Sequence, residues 1–327
     1  MGDYMKHHFE CIMTACFFFT ALIAVEQRTA LIFGISGQDD VYLPQLLLEK
    51  GYRVVGVHRV SSRSKNNLER LKNITCNYPI EFLNGDITDA DCITTIVTDV
   101  QPDEIYNLAA QSHVGASYES AEYTAETHAL GALRILEAIR NTYKKCRYYQ
   151  ALSSEMFGKV TQVPQNEYTP FNPRFPYGVA KLYAYWITKN YREIYGIYAC
   201  NRILYNHESP LRSENFVSRK ITKAVVKIVL GTQDTLYLGN INACRDWGYA
   251  KDYVVSMWLM LQQDHADDYV IGTGQTHSVR EFIELAFKKV GIEIEWHGHG
   301  IDEKGINKKT GAVIVAIDTK IFQASRS

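Results

Sequence analysis

Two side chains four residues apart, Tyr177 and Lys181, have the types and the spacing needed to move a proton. On a helix this spacing places both side chains on one face. An ammonium beside a phenol favours the phenolate, so we expect the pKa of Tyr177 to fall from ~10 toward the working pH. Lys181 can also donate to the ribose of a nicotinamide nucleotide. The spacing alone is common in surface pairs, so its meaning depends on the residues that precede it.

The stretch Ser153-Ser154-Glu155 precedes this pair and follows an apolar run. Ser153 can hydrogen-bond the hydroxyl that Tyr177 deprotonates. Glu155 could reach the neighbouring carbons as a second acid or base. A simple dehydrogenase does not need this second group, whereas oxidation followed by elimination of water and reduction does. The alternative is that Glu155 is an exposed loop carboxylate.

A glycine-rich turn, Gly34-Ile35-Ser36-Gly37-Gln38-Asp39, lies between an apolar run and an amphipathic stretch. Glycines at such a turn let the backbone approach a pyrophosphate at a helix N-terminus. A plain tight turn would have the same glycines. Asp40 stands where a third glycine would allow close packing of strand and helix. We expect its carboxylate to weaken the phosphate site by repulsion unless it points to solvent.

Two residues at later strand ends extend the predicted dinucleotide site. Arg59 follows the second strand, where it is placed to meet an adenosine 2′-phosphate, which favours NADP over NAD. A solvated arginine is the alternative. Asp86 follows the third strand and suits the adenine edge, although the N-cap of the next helix is an equally good role.

The elements that must position these residues alternate as βαβ units do. The predicted fold class is α/β, a doubly wound parallel sheet (Rossmann), in which ligands bind outside the carboxyl ends of the strands. Strands are expected at Thr29–Phe33, Arg53–Val57, Ile80–Leu83, Glu104–Leu108, Tyr148–Leu152 and Tyr198–Leu204. Helices are expected at Val41–Lys50, Tyr123–Arg140 and Tyr177–Tyr195.

The chain is predicted to have three segments. Residues 1–27 form an N-terminal extension, residues 28–205 an NADP-binding Rossmann domain, and residues 206–327 a smaller substrate lobe interleaved with it. The extension contains the apolar run Cys11–Val25, which is shorter than the ~18–20 residues that span a bilayer. Its charges and small residues do not fit a signal peptide. Membrane association is therefore the less favoured alternative to a cytoplasmic protein.

Composition narrows the classes of partner. Lys+Arg 35 against Asp+Glu 36 gives a net charge of -1, so no global field attracts nucleic acid or an anionic membrane. The seven cysteines are odd in number and scattered, which argues against a disulfide framework or a metal site and for a reducing compartment. An anionic ligand must be held by local groups. In the smaller lobe, arginines suited to a diphosphate recur in the sets Asn206 to Arg212, Arg219-Lys220 and Arg245-Asp246-Trp247.

With these features in place, the chain resembles the GDP-mannose 4,6-dehydratases, within the extended short-chain dehydrogenase/reductase family. The resemblance runs from about Thr29 to about Glu303, and NHESP together with RDWG-AKDYV separates this group from its epimerase relatives. Other matching stretches are GISGQDD, GDITD, QPDEIYNLAAQSHV, YQALSSEMFGKV, PYGVAKLYAYWITKNYREIYGIYACNRIL and SVREF. The resemblance implies conversion of GDP-mannose to GDP-4-keto-6-deoxymannose, a step towards GDP-fucose, with bound NADP in a homo-oligomer.

The resemblance also implies roles for individual residues. Ser153 stands in place of the family's catalytic threonine, and Glu155, Tyr177 and Lys181 match its catalytic groups. Substrate contacts are implied for Asn206, Lys220 and Arg245. Cofactor contacts are implied for Gly34, Ile35, Ser36, Gly37, Gln38, Asp39, Asp86, Ile87, Leu108, Ala109, Ala110, Gln111, Ser112, Tyr123, Lys181, His207 and Arg212.

Several positions depart from the family pattern and fall on binding, assembly and stability. His128 replaces an acidic residue in the helix expected at the subunit contact, and Arg202 stands where glycine is usual. The others are Asp40, Val60, Leu211 and a substrate lobe expected to be shortened at Ser327. Asp40, Arg202 and the shortened lobe leave open a non-catalytic relic that binds NADP. A sister activity, as an epimerase or dehydratase of another nucleotide sugar, is also open, because so few groups do not identify the base of the nucleotide.

Overall fold

Fourteen strands and eight helices are found in the residues that the computed structural model describes, which are 27–319 and 322 without 36, 60–79, 113 and 143–144. The strands are β1 (Thr29–Phe33), β2 (Arg53–His58), β3 (Glu81–Asn84), β4 (Glu104–Asn107), β5 (Arg147–Ala151), β6 (Tyr198–Leu204), β7 (Asn206–Glu208), β8 (Leu236–Leu238), β9 (Cys244–Tyr249), β10 (Asp268–Ile271), β11 (Thr276–Ser278), β12 (Ile294–His297), β13 (Lys304–Asn307) and β14 (Val313–Ile317). The helices are α1 (Asp39–Glu49), α2 (Ala90–Val100), α3 (Ala121–Ala125), α4 (Gly131–Arg140), α5 (Pro176–Tyr195), α6 (Val217–Val229), α7 (Ala250–Met260) and α8 (Val279–Lys288).

The central sheet has seven parallel strands in the order β10-β6-β5-β4-β1-β2-β3. The predicted doubly wound α/β class is therefore confirmed. The order reverses between β1 and β4, where Ala30 lies opposite Glu104 and Phe33 opposite Asn107. In such sheets the crevice at the reversal, outside the carboxyl ends of the strands, is where ligands bind.

Strand β1 shows why the sheet is covered on both faces. All five of its residues are buried, and successive side chains of a strand point to opposite faces. Ile32 packs in a cluster with residues of α1 and α7, such as Leu43 and Met257. Leu31 packs on the other face with residues such as Ile135 of α4. A continuous apolar run is what a strand buried on both faces requires.

The chain after β7 builds a second layer and then returns to the sheet. A four-stranded sheet, in the order β12-β13-β14-β8, packs with α6 and α8 around a core that includes Ile221, Ile283, Phe287 and Val315. Strand β10 pairs with β6 in the central sheet, and α7 packs beside α1. Strands β11, β9 and β7 form a small sheet of their own. The division into segments at residue 206 stays a prediction.

Two helices differ from the expectation in ways that affect the site. Helix α1 begins at Asp39, two residues earlier than predicted, so Asp39 and Asp40 both lie in its first turn. The helix expected at Tyr123–Arg140 is instead α3 and α4, joined by a π-helical turn at Glu126–Leu130. Such turns occur mostly as single insertions in α-helices. The extension 1–26, with Val60, lies outside the described residues, and no described helix is long and apolar enough to cross a membrane.

Candidate active site

The glycine turn lies at the carboxyl ends of three strands, β1, β2 and β4. Gly34 has a φ of +93°, and a Cβ at this position would lie 2.6 Å from the backbone of Ala109, so only glycine fits. The N–H groups of Gly34 and Ile35 both donate to the carbonyl of Val57, at 3.1 and 3.3 Å. Ile35 is fully buried and packs in the core. Ser36, predicted to contact the cofactor, lies outside the described residues.

The start of α1 is tied to β7 by side chains of the turn. Gln38 donates to the carbonyl of His207 at 2.7 Å and accepts from the hydroxyl of Ser209 at 2.9 Å. The carboxylate of Asp39 lies 2.7 Å from Nε2 of His207. Burial alone would raise the pKa of Asp39, but the charge and hydrogen bond of His207, followed by the charges of Arg202 and Arg212, hold it below its usual value. The cofactor turn is thus connected to the substrate side of the site.

Asp40 does not point to solvent. Its side chain is 3% exposed, and its carboxylate accepts a hydrogen bond from the N–H of Gly37. We expected the Asp40 carboxylate to weaken the phosphate site unless it pointed to solvent, and this exception does not apply.

A cleft of about 380 Å³ runs along the turn and reaches Arg59 and Tyr123, which were also predicted to contact the cofactor. At one end the Arg59 guanidinium donates to the Tyr123 hydroxyl and lies 5.7 Å from its ring centroid. The predicted cofactor residues in its lining are Gly34, Gly37, Gln38, Asp39, Arg59, Ile87, Leu108, Ala109, Ala110, Ser112, Tyr123 and Arg212.

Five of the described residues predicted to contact the cofactor do not line this cleft: Ile35 is buried in the core, and Lys181 and His207 line a second cavity. The other two, Asp86 and Gln111, line neither cavity. Asp86 accepts from the N–H and the hydroxyl of Thr88, both at 2.9 Å. It does not cap the next helix either, because that cap is Asp89, which accepts from the N–H of Cys92. The backbone carbonyl of Gln111 accepts a hydrogen bond from Nε2 of His128 at 3.1 Å. For both residues, direct contact with the cofactor is not supported by the lining.

The four predicted catalytic residues lie together in a second cavity of about 160 Å³. Ser153 ends the extended segment after β5, and its hydroxyl accepts from the N–H of Glu155 at 3.2 Å. Tyr177 and Lys181 come from the first turns of α5 and are both buried. The described lining also includes Asn206, His207 and Arg212. The two cavities share Asp39, Leu108, Ala110, Ser112, Arg212 and Phe216.

The charge state of the catalytic pair differs from the expectation. Burial raises the pKa of Tyr177 to about 12, while a hydrogen bond with Ser153 lowers it, the charge of Glu155 raises it and that of Arg212 lowers it. Burial lowers the pKa of Lys181 to about 7. The Lys181 ammonium donates to the carbonyl of Ala151 at 2.7 Å and lies 5.8 Å from the Tyr177 ring centroid. We expected Lys181 to lower the pKa of Tyr177. This expectation is wrong, because the pKa of Tyr177 is raised.

His128 is a neighbour of the catalytic pair that the sequence did not identify. It lies buried in the π-helical turn, and its ring centroid is 5.0 Å from that of Tyr177 at an interplanar angle of 79°. Burial and then the charge of Lys181 hold its pKa well below the ordinary value, against the hydrogen bond to Gln111. His128 therefore packs inside the protomer as a neutral ring, although its helix was predicted at the subunit contact. Its closeness to Tyr177 depends on the π turn, which no sequence pattern indicated.

Two of the three predicted substrate residues are not brought to the catalytic cavity. Asn206 lines it, but Lys220 lines a separate cavity of about 280 Å³ with Glu214, Lys223 and Lys227. Arg245 is exposed on β9 and donates to the carbonyl of Cys244 at 2.8 Å. The predicted cationic set is thus not brought together in one cavity. No group of three or more potential metal ligands is found among the described residues.

Comparison with known proteins gives matches over most of the chain. A family model described as GDP-mannose 4,6 dehydratase matches residues 31–326. The GDP-mannose 4,6-dehydratase of Vibrio cholerae is 51% identical over 316 residues, which cover 91% of this chain and 84% of that protein. Among solved structures, the dTDP-glucose 4,6-dehydratase of Streptomyces venezuelae with NAD and TYD bound has a TM-score of 0.73 at 21% identity, over 89% and 85% of the two chains. RMD from Pseudomonas aeruginosa complexed with NADPH has a TM-score of 0.69 at 20% identity, over 89% and 87%. The two structures support the fold alone.

Proposed function

This chain belongs to the GDP-mannose 4,6-dehydratase family, and from this premise we propose how its own residues remove water from the sugar. It is an enzyme, a hydro-lyase acting on a nucleotide sugar, that converts GDP-mannose to GDP-4-keto-6-deoxymannose. The observation that carries the proposed mechanism is the position of Ser153, Glu155, Tyr177 and Lys181 around one cavity.

The cleft beside this cavity fits a nicotinamide dinucleotide at both ends. The backbone approach at Gly34 leaves no room for a Cβ, as a turn against a pyrophosphate requires. Arg59 and Tyr123 would hold the adenosine end, and the guanidinium of Arg59 supports NADP rather than NAD. Lys181 would donate to the nicotinamide ribose. When bound, the nicotinamide supplies reversible acceptance of one hydride.

The first proton transfer is assigned to Tyr177. As phenolate it accepts the proton of the 4-hydroxyl when C4 is oxidised to a ketone. Ser153 hydrogen-bonds the same group and, with Arg212, lowers the pKa of Tyr177, against burial and Glu155. Burial lowers the pKa of Lys181 to about 7 and raises that of Tyr177 to about 12, so the phenolate requires a positive charge beside it that the protein groups alone do not supply.

Glu155 is assigned the elimination. The 4-keto group acidifies the proton on C5, and the Glu155 carboxylate removes it while the 6-hydroxyl leaves as water. Two protons are thus accepted, one by Tyr177 and one by Glu155, and two are delivered, one to the leaving hydroxyl and one to C5. The hydride removed from C4 is returned to C6 as the proton is delivered to C5, so the cycle consumes no net reductant. General acid–base catalysis of this kind contributes about 10²–10⁴-fold to a rate.

The test is dehydration of GDP-mannose by the purified protein with a catalytic amount of NADP⁺, followed by mass spectrometry. We expect a product lighter by one water and no accumulation of NADPH. Glu155→Gln abolishes the loss of water, whereas Glu193→Gln, an exposed carboxylate of α5, leaves it unchanged. Loss of water at the normal rate in Glu155→Gln would contradict the mechanism. Faster turnover of UDP- or dTDP-glucose than of GDP-mannose would favour the sister activity, and no turnover in the folded protein would favour the relic.

We further infer that the chain forms a homo-oligomer through the outer face of α5. Trp186 is 54% exposed and Tyr183 and Val179 lie near it on the same helix, with exposed apolar surface. A contiguous apolar patch of this kind marks an interaction surface. Light scattering should give more than one chain per particle, and Trp186→Asp should give a single chain. A monomeric unsubstituted protein would contradict the inference.

A further inference from the structure

The carboxylate of Asp40 occupies the space directly against the backbone of the glycine turn. It accepts the N–H of Gly37, and a Cβ built on Gly37 would lie 2.7 Å from its Oδ2. Asp40 and Gly37 both line the cofactor cleft. The acidic group therefore faces the cavity that a dinucleotide would enter.

This space is where a dinucleotide site needs its anion. A pyrophosphate is bound by backbone N–H groups at the start of a helix, supported by the positive end of the helix dipole. In this turn the N–H groups of Gly34 and Ile35 donate to the carbonyl of Val57, and the N–H of Gly37 donates to Asp40. An oxygen of the protein already makes a hydrogen bond that a phosphate oxygen would make.

Three side chains beside the turn act on its other carboxylate, that of Asp39. His207 lies 2.7 Å from Asp39, and Arg202 and Arg212 also act on the pKa of Asp39. Arg212 lies 3.3 Å from a carboxylate oxygen of Glu208 and its guanidinium is 3.5 Å from the ring centroid of Phe216. The first turn of the helix therefore carries two carboxylates, those of Asp39 and Asp40, beside the N–H groups that a phosphate would need.

We propose that Asp40 is an internal competitor for the cofactor pyrophosphate, so that this chain binds its dinucleotide weakly and binds it more tightly once the carboxylate is removed. The proposal rests on the proposed function, because the ligand is the same dinucleotide. Like charges about 4 Å apart at a partly screened site repel strongly enough for us to expect affinity to rise about tenfold to a hundredfold on removal of the charge.

The same contact has the opposite effect on the protein without ligand. A carboxylate in the first turn of a helix satisfies a backbone donor and interacts favourably with the helix dipole. Asp40 therefore stabilises the free turn and weakens the bound one. Removing its charge should lower the melting temperature of the free protein and increase the rise in melting temperature that NADP⁺ produces.

The experiment measures ligand binding by titration calorimetry on the full chain, with Asp40→Asn, which keeps the shape, and Asp40→Gly, which removes the side chain. Asp91→Asn is the matched control, because Asp91 is an exposed carboxylate in the first turn of α2. The two ligands are NADP⁺ and adenosine 2′-monophosphate, which lacks the pyrophosphate. Both Asp40 variants should bind NADP⁺ at least about tenfold more tightly, with the affinity for adenosine 2′-monophosphate and all values of the control unchanged.

The outcomes separate this proposal from the proposed function. An unchanged Kd for NADP⁺ in both Asp40 variants would overturn the proposal and leave the dehydratase mechanism intact. Equal tightening for both ligands would also overturn it, because the effect would then not act on the pyrophosphate. If Asp40→Gly binds NADP⁺ tightly and still forms no dehydrated product, the proposal stands and the proposed function fails. Melting curves of Asp40→Asn with and without NADP⁺ give the second readout.

Discussion

The catalytic cavity and the glycine turn differ in how this chain uses its charged groups. In the cavity, Ser153, Glu155, Tyr177 and Lys181 are set around one space that a substrate can enter. In the turn, Asp40 places a carboxylate against the backbone that an anionic ligand needs. The groups to which we assign the chemistry are therefore all present around one cavity, while the proposed cofactor site carries a competing charge. Catalytic groups and cofactor affinity are separate properties of this fold, and a substitution can change one without the other.

Removing the Tyr177 hydroxyl is the most direct way to change the catalytic cavity without changing the glycine turn. Tyr177→Phe keeps the ring that packs against His128 but removes the proton acceptor. We expect kcat to fall about 10³-fold, within the range of general base catalysis, and the Kd for NADP⁺ to stay unchanged. Tyr195→Phe, on the exposed end of the same helix, is the control and should keep full activity. A parallel loss of NADP⁺ affinity in Tyr177→Phe would contradict the independence of catalysis and cofactor binding.

The second prediction concerns the buried guanidinium of Arg202, whose charge lowers the pKa of Asp39 in the turn. Arg202 has no exposed surface, donates to the Tyr149 hydroxyl at 3.2 Å, and its Nε and Nη2 have no hydrogen-bond partner in the described part of the chain. Burying a charge with so few partners is costly, so Arg202→Met should raise the free energy of unfolding by about 1–3 kcal/mol. Urea unfolding measures this change.

Arg192 gives the matched contrast, because its guanidinium lies 3.0 Å from the carboxylate of Asp268. Arg192→Met leaves that buried carboxylate without its cation and should lower the free energy of unfolding. If both substitutions lower the free energy of unfolding, the neighbours of Arg202 outweigh the cost of burying its guanidinium, and the prediction for Arg202 is wrong.

The last expected effect, which develops gradually with pH, concerns Lys181. Its pKa is lowered to about 7 by burial, below about 10.4 in the unfolded chain. Between these values the unfolded chain binds the additional proton, so this group makes the free energy of unfolding rise with pH, by at most about 1.4 kcal/mol per unit. The raised pKa of Tyr177 acts only above about 10 and the lowered pKa of His128 only below about 6.5, outside this window.

Urea unfolding of the protein and of Lys181→Met across this pH range measures the difference. The slope should be smaller in Lys181→Met and unchanged in Lys309→Met, which alters an exposed lysine. Equal slopes in all three proteins would show that Lys181 is not desolvated in the cavity.

The sequence could predict that the proposed catalytic groups lie together, because their positions follow from local rules. Glu155 follows a strand end, and Tyr177 and Lys181 share a helix face, so the sheet brings them together once the βαβ alternation is recognised. The division of the cationic set could not be predicted, because Lys220 and Arg245 lie on elements whose orientation depends on tertiary packing. The same holds for β10, which returns to the central sheet from a stretch with no βαβ pattern.

Side-chain direction was the second limit. A glycine-rich turn with an acidic residue allows that residue to point outward or inward, and only the packing of α1 turns Asp40 against Gly37. Likewise, a regular helix was expected where the π-helical turn directs His128 to Tyr177. The distance of Lys181 from the phenol also depends on its bond to the Ala151 carbonyl, a backbone group that has no residue-type signature.

The most direct test of the separation between chemistry and binding is the rate of GDP-mannose dehydration as a function of NADP⁺ concentration, in the unsubstituted protein and in Asp40→Gly. The account predicts the same rate at saturating NADP⁺ for both proteins, and half-saturation at an NADP⁺ concentration about tenfold or more lower in Asp40→Gly. Equal half-saturation concentrations would contradict the role of Asp40. A changed rate at saturation would contradict the independence of the two regions.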